Sequence, residues 1–117
     1  MDARLLWGLD RVRHDLEREI TVNCGYKTSG HAPKSFHKLG MAVDFVVLPP
    51  APDIEVDFYD LYLTILSMWH GGVGVYPFWN RPGFHLDIGP DRTWVRDKDG
   101  EYYSDIDKIR NLASIWV

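Results

Sequence analysis

The sequence predicts an α+β domain: a small antiparallel sheet with helices packed on one side. Three observations carry this. Apolar residues recur at helical spacing near each end of the chain and once between. Short stretches of strand character lie between those segments. Glycine and proline clusters separate the stretches, and no internal repeat, low-complexity tract or linker interrupts them. The 117 residues are therefore expected to form one domain, 1–117.

Asp2 is placed to cap a first helix running to about Glu19, with Leu5, Leu9, Val12 and Leu16 on one face and His14 on the solvated one. Ile20, Val22 and Cys24 then alternate with polar residues, the pattern of a strand with one face buried. Gly25 to His37 reads as a loop. Met41 to Leu48 is a nearly continuous apolar strand, which the tract Pro49-Pro50-Ala51-Pro52 ends because proline cannot continue a ladder. A second helix is expected from Asp53 or Glu55 to about Trp69, with Asp57, Asp60, Thr64 and Ser67 as its polar stripe, closed by His70-Gly71-Gly72. Val73–Tyr76 and Phe84–Ile88 are short strands. Thr93–Arg96 and Glu101–Tyr103 flank a hairpin turn at Asp97-Lys98-Asp99-Gly100. Ser104 with Asp107 resembles a capping box, and the last helix presents Ile106, Ile109, Leu112 or Ala113, and Trp116.

Composition narrows the function classes. A net charge of -4 and no basic stripe argue against a nucleic-acid partner. No apolar run is long enough to span a membrane, and the charged N-terminus lacks the apolar core of a signal peptide. The single cysteine, Cys24, has no internal disulfide partner and is expected as a small buried residue.

Asp44 is the strongest local anomaly: the one charge in an apolar strand, costly there unless paired or bound to metal. His37 precedes it by seven residues, with Gly40 to turn the chain and Ala42 leaving room on the same strand face. In the later strand His85 and Asp87 share a face. If the two strands are neighbours, His37, Asp44 and His85 can meet. Two histidines and a carboxylate with a fourth position left for water are a common catalytic zinc set, so Zn2+ is the expected cofactor. Tyr76, Trp79 and Trp94 are candidate walls of a cleft, with core packing as the alternative for each.

Ser35-x-His37-x-x-Gly40-x-Ala42-x-Asp44 resembles the first zinc motif of the zinc D-alanyl-D-alanine carboxypeptidase family (peptidase M15), whose wider group includes lysostaphin-type enzymes and the hedgehog domain. Gly71 to Pro77 followed by Gly83 to Pro90 is similar to the second half of the family's compact branch, and Gly25-Tyr26-Lys27-Thr28 to its Ser-Gly-Tyr-Arg-Thr segment. The likeness runs from about Thr21 to Trp94. It implies zinc ligands at His37, Asp44 and His85, a substrate or outer contact at Ser35, and an oxyanion donor at Lys27, where the family carries arginine. Lysine donates there as a point charge without the bidentate fork. Better-known relatives place a carboxylate base three residues before the last ligand. That position is Pro82, which takes no proton, so Asp87 is either the substitute base or a residue that orients a ligand.

The implied activity is hydrolysis of an amide bond in peptidoglycan stem peptides, by a carboxypeptidase or an endolysin-type endopeptidase. The alternative is a peptidoglycan-binding module that keeps the fold and zinc without catalysis. The expected location is the cytoplasm, or the cell wall for a phage-encoded protein.

Overall fold

The computed structural model describes residues 2–16, 18–24, 41–48 and 56–117. Its elements are α1 (Ala3–Leu16), β1 (Ile20–Cys24), β2 (Ala42–Val47), α2 (Phe58–Met68), β3 (Gly72–Tyr76), β4 (Gly83–Asp87), β5 (Arg92–Arg96), β6 (Tyr102–Tyr103) and α3 (Ile106–Ala113). The six strands form one open sheet in the order β1-β2-β4-β3-β5-β6. This is the α+β arrangement that the sequence predicts.

One neighbour pair departs from the antiparallel expectation: β5 runs parallel to β3. The reason is the short connection after β4. Because β4 is antiparallel to β3, it ends beside the start of β3. The chain then crosses that start, and the Arg92 backbone N–H donates to the Gly71 carbonyl at 3.2 Å. From there β5 can only run in the direction of β3.

The helix starts are set by side-chain caps. Asp2 accepts from the Arg4 N–H at 2.8 Å, as expected, although α1 ends at Leu16 rather than Glu19. The cap of α2 is Asp57, which accepts from the Tyr59 N–H at 3.1 Å; the helix therefore starts after the predicted Asp53 or Glu55, which lie outside the described residues. The cap of α3 is Asp105 rather than Ser104, through its bond from the Asp107 N–H at 3.2 Å. A carboxylate satisfies an orphan helix donor and also complements the helix dipole, which favours Asp105 over Ser104 at the start of α3.

Period-two alternation divides the sheet into two faces. Val43, Phe45 and Val47 of β2, Phe84 and Leu86 of β4, Val73 and Val75 of β3, and Val95 of β5 belong to one buried core. Phe58, Leu61, Tyr62 and Ile65 of α2, Ile109 and Ala113 of α3, and Leu5, Leu9 and Val12 of α1 complete it. Phe84 stacks on Phe58 with ring centroids 4.5 Å apart. Strand β1 differs from its predicted pattern: Val22 is 44% exposed, because β1 is an edge strand. No helix among the described residues is long and apolar enough to cross a membrane.

Candidate functional site

The other face of the sheet carries the polar residues, and the register assembles them in rows. Asp44 of β2 lies opposite His85 of β4, His85 opposite Gly74 of β3, and Gly74 beside Trp94 of β5. One step along the strands, Ala42, Asp87, Gly72 and Arg92 form a second row. The sequence condition that the two motif strands be neighbours is met, and Asp44 faces His85 directly.

His85 is gripped at both ring nitrogens. Its Nδ1 lies 2.9 Å from Asp44 Oδ1 and its Nε2 lies 2.7 Å from Asp87 Oδ2. Burial alone would lower the imidazole pKa, but the hydrogen bonds and charges of Asp44 and Asp87 outweigh it and hold the pKa above its ordinary value.

Asp87 is fully buried and accepts five hydrogen bonds. Oδ1 receives the Gly72 and Gly89 N–H groups at 3.1 and 2.9 Å and Arg92 Nη1 at 2.8 Å. Oδ2 receives His85 Nε2 and Arg92 Nη2, each at 2.7 Å. Burial would raise the pKa of this carboxyl, but the bonds from His85 and Arg92 outweigh it and hold the group well below the usual carboxylate range. A carboxylate offers about four lone-pair positions, and here they are taken. This environment favours the orienting role over the base role.

The glycines of β3 make the face flat enough for these contacts. A Cβ at Gly72 would overlap the Asp87 carboxyl group, and one at Gly74 would lie 2.7 Å from the Trp94 indole. Gly71 has a φ of 137°, in the region that favours glycine, and the Asp87 carbonyl fills the space of its missing Cβ. The Trp94 ring sits 5.1 Å from His85, and its Nε1–H donates to the Tyr76 hydroxyl at 3.0 Å. Burial pushes the Tyr76 phenol up to about 12, even though the bond from Trp94 works the other way. Tyr76 stacks on Trp79 with centroids 4.2 Å apart. Tyr76 and Trp94 line a hollow of about 470 Å³ with Arg92 and Tyr102, and Trp79 lines another of about 510 Å³ with Val46 and Arg81.

The structure thus brings together Asp44, His85 and Asp87, with Tyr76 and Trp79 on the flank. Lys27, Ser35 and His37 lie outside the described residues. Among the described residues no group of three or more His, Cys, Asp or Glu side chains is arranged to hold a metal. The described donors that suit one are the Asp44 carboxylate and His85 Nδ1, 2.9 Å apart, while Nε2 bonds Asp87. Sequence reasoning missed Arg92 and the close approaches at Gly72 and Gly74. The alternation of glycine with valine in Gly72-Val73-Gly74-Val75 was a usable signal, since one strand face there has no side chains.

The family model described as peptidoglycan L,D-endopeptidase MepK, of the M15 peptidases, matches residues 1–94. The chain belongs to this family. It is 33% identical over 108 residues to a probable peptidoglycan L,D-endopeptidase MepK from Haemophilus influenzae, covering 80% of this chain and 54% of that protein. It is 40% identical over 70 residues to the Escherichia coli K12 peptidoglycan L,D-endopeptidase MepK, covering 58% of this chain and 33% of that protein. The chain therefore spans about half the length, or less, of these relatives. No solved structure gives a significant match. The M15 family match covers β1 to β4 and reaches Trp94 in β5, so it includes both rows of the polar face.

Proposed function

We propose that this chain is a zinc-dependent peptidase domain that hydrolyses an internal amide bond of peptidoglycan stem peptides. The observation that carries the proposal is the pair Asp44 Oδ1 and His85 Nδ1, 2.9 Å apart on adjacent strands, with the far nitrogen of His85 held by a buried carboxylate. That is the arrangement in which a metal-ligating histidine is oriented through its other ring N–H.

In this reading Asp44 and His85 are two of the ligands and His37 is the third. When bound, zinc supplies Lewis acidity toward a water and the scissile carbonyl. The chain's own residues do the rest. Asp87 accepts a hydrogen bond from the His85 Nε2–H, which leaves Nδ1, the nitrogen that faces Asp44, as the one that would take the metal in place of its proton. Lys27 donates to the oxygen that gains charge as the carbonyl is attacked. Ser35 is a substrate contact, and the stacked Tyr76 and Trp79 form the wall against which the peptide lies. Of the two activities that the sequence motifs imply, the relatives named L,D-endopeptidases support the endopeptidase over the carboxypeptidase.

The test is metal content and hydrolysis on the same protein. Wild type and His37→Ala, purified without added metal and then offered zinc, are compared by elemental analysis; about one zinc per chain, lost in the variant, is expected. Wild type is then incubated with purified peptidoglycan and the products are read by mass spectrometry. Full hydrolysis by Asp44→Ala or His85→Ala refutes the site. Zinc uptake with peptidoglycan binding but no released product would identify a binding module instead.

A further inference from the structure

We propose that Arg92 is a positioning residue of this site, clamping Asp87 so that His85 keeps one ring orientation and one tautomer. The inference rests on the metal reading of Asp44 and His85 given above. Arg92 meets Asp87 with both terminal nitrogens, Nη1 to Oδ1 at 2.8 Å and Nη2 to Oδ2 at 2.7 Å. A paired fork of this kind fixes the plane of a carboxylate as well as its position. Asp87 Oδ2 is the atom that faces His85 Nε2, so fixing the plane of the carboxylate fixes the imidazole.

The guanidinium is itself held. Nη1 also donates to the Pro90 carbonyl at 3.0 Å, and the group lies 5.1 Å from the centre of the Trp94 ring. That ring in turn stands 5.1 Å from His85. Arg92 therefore reaches the histidine along two paths, through the carboxylate and through the indole. Its placement depends on the parallel pairing of β5 with β3, which sets Arg92 beside Gly72, where no side chain separates it from Asp87.

The experiment uses the full chain as wild type, Arg92→Ala and Arg92→Lys, with folding checked by circular dichroism. Zinc affinity is measured by competition with a chromophoric chelator, and the His85 ring protons are followed by ¹⁵N-resolved NMR. Arg92→Ala is expected to bind zinc about ten- to a hundredfold more weakly and to lose the slowly exchanging Nε2–H signal. Arg92→Lys, which keeps the charge without the fork, is expected to fall between the two. A folded Arg92→Ala with affinity within about twofold of wild type and an unmoved ring signal overturns the proposal. If Arg92→Ala does not fold, Arg92→Lys decides: weaker binding supports the clamp, and wild-type binding with an unmoved signal overturns it. If wild type takes up no zinc, the metal reading fails separately. The ring signal then decides alone: its loss in the variants supports the clamp, and its persistence overturns it.

Discussion

Phe84 and His85 are adjacent in the chain and do opposite things. Phe84 faces the helices, stacks on Phe58 and lies 5.9 Å from Phe45. His85 faces the other way, between two carboxylates. The same division runs through β3, where Val73 and Val75 are buried in the core while Gly72 and Gly74 lie under Asp87 and Trp94. One face is held by apolar area removed from water, which is non-directional and tolerates exchange of similar volumes. The other is held by hydrogen bonds and charges that fail when one partner is lost. A strand can carry both because its side chains alternate.

The sharpest way to break the comparison is to substitute the two neighbours. Phe84→Ala should lower stability by about 3–5 kcal/mol, read from the urea midpoint. His85→Ala should destabilise less and lose measurable peptidoglycan hydrolysis. If the two variants unfold alike, the division of labour is wrong.

Next in size is Asp87→Asn. It leaves His85 and Arg92 without their carboxylate, and about 3 kcal/mol is expected, toward the low end for breaking a buried pair because the Arg92 side chain is 39% exposed. Circular dichroism in a urea series checks this, and zinc affinity should fall in the same variant.

Gly74→Ala is a smaller change with a directional consequence. The added methyl meets the Trp94 indole, costing about 1–3 kcal/mol and moving the ring away from His85. Val75→Ala, one residue on, should cost about 2 kcal/mol and leave turnover near wild type. Steady-state hydrolysis by the two folded variants separates them.

The smallest effect is in pH. Asp87 is held below its ordinary value of 3.8, so its contribution is present above that pH and is lost as pH falls through the folded-state value. His85 is held above its ordinary value of 6.5, so its contribution is complete below that pH and is lost as pH rises through the raised value. Together they place the maximum for metal-free protein between those two values. Metal competes with the proton at His85, so zinc-loaded protein should not share the loss at higher pH. Thermal melts of both forms across pH test this, and an identical profile would count against the metal at His85.

Much of the fold could be read from local pattern. The apolar run around Asp44, the alternation at His85 and Asp87, and the amphipathic helices are short-range signals. The caps at Asp57 and Asp105 were displaced by one or a few residues from expectation because several polar residues there compete for the same orphan N–H groups. The exposure of Val22 was not readable, since alternation alone does not tell an edge strand from a central one.

The sequence by itself determined that Asp44 needs a partner, that His85 and Asp87 share a strand face, and that this chain carries the motifs of a zinc peptidase family. The first two follow from side-chain chemistry and from the two-residue period of a strand, and the third is a resemblance of motifs. Only the tertiary structure decided which groups touch. Asp44 meets His85 because β2 and β4 are neighbours in a particular register. Arg92 meets Asp87 because the chain crosses the start of β3 and returns parallel to it. Register and strand order are set by burial of the opposite, apolar face in one core. The geometry of the polar face is thus fixed by residues that take no part in its chemistry.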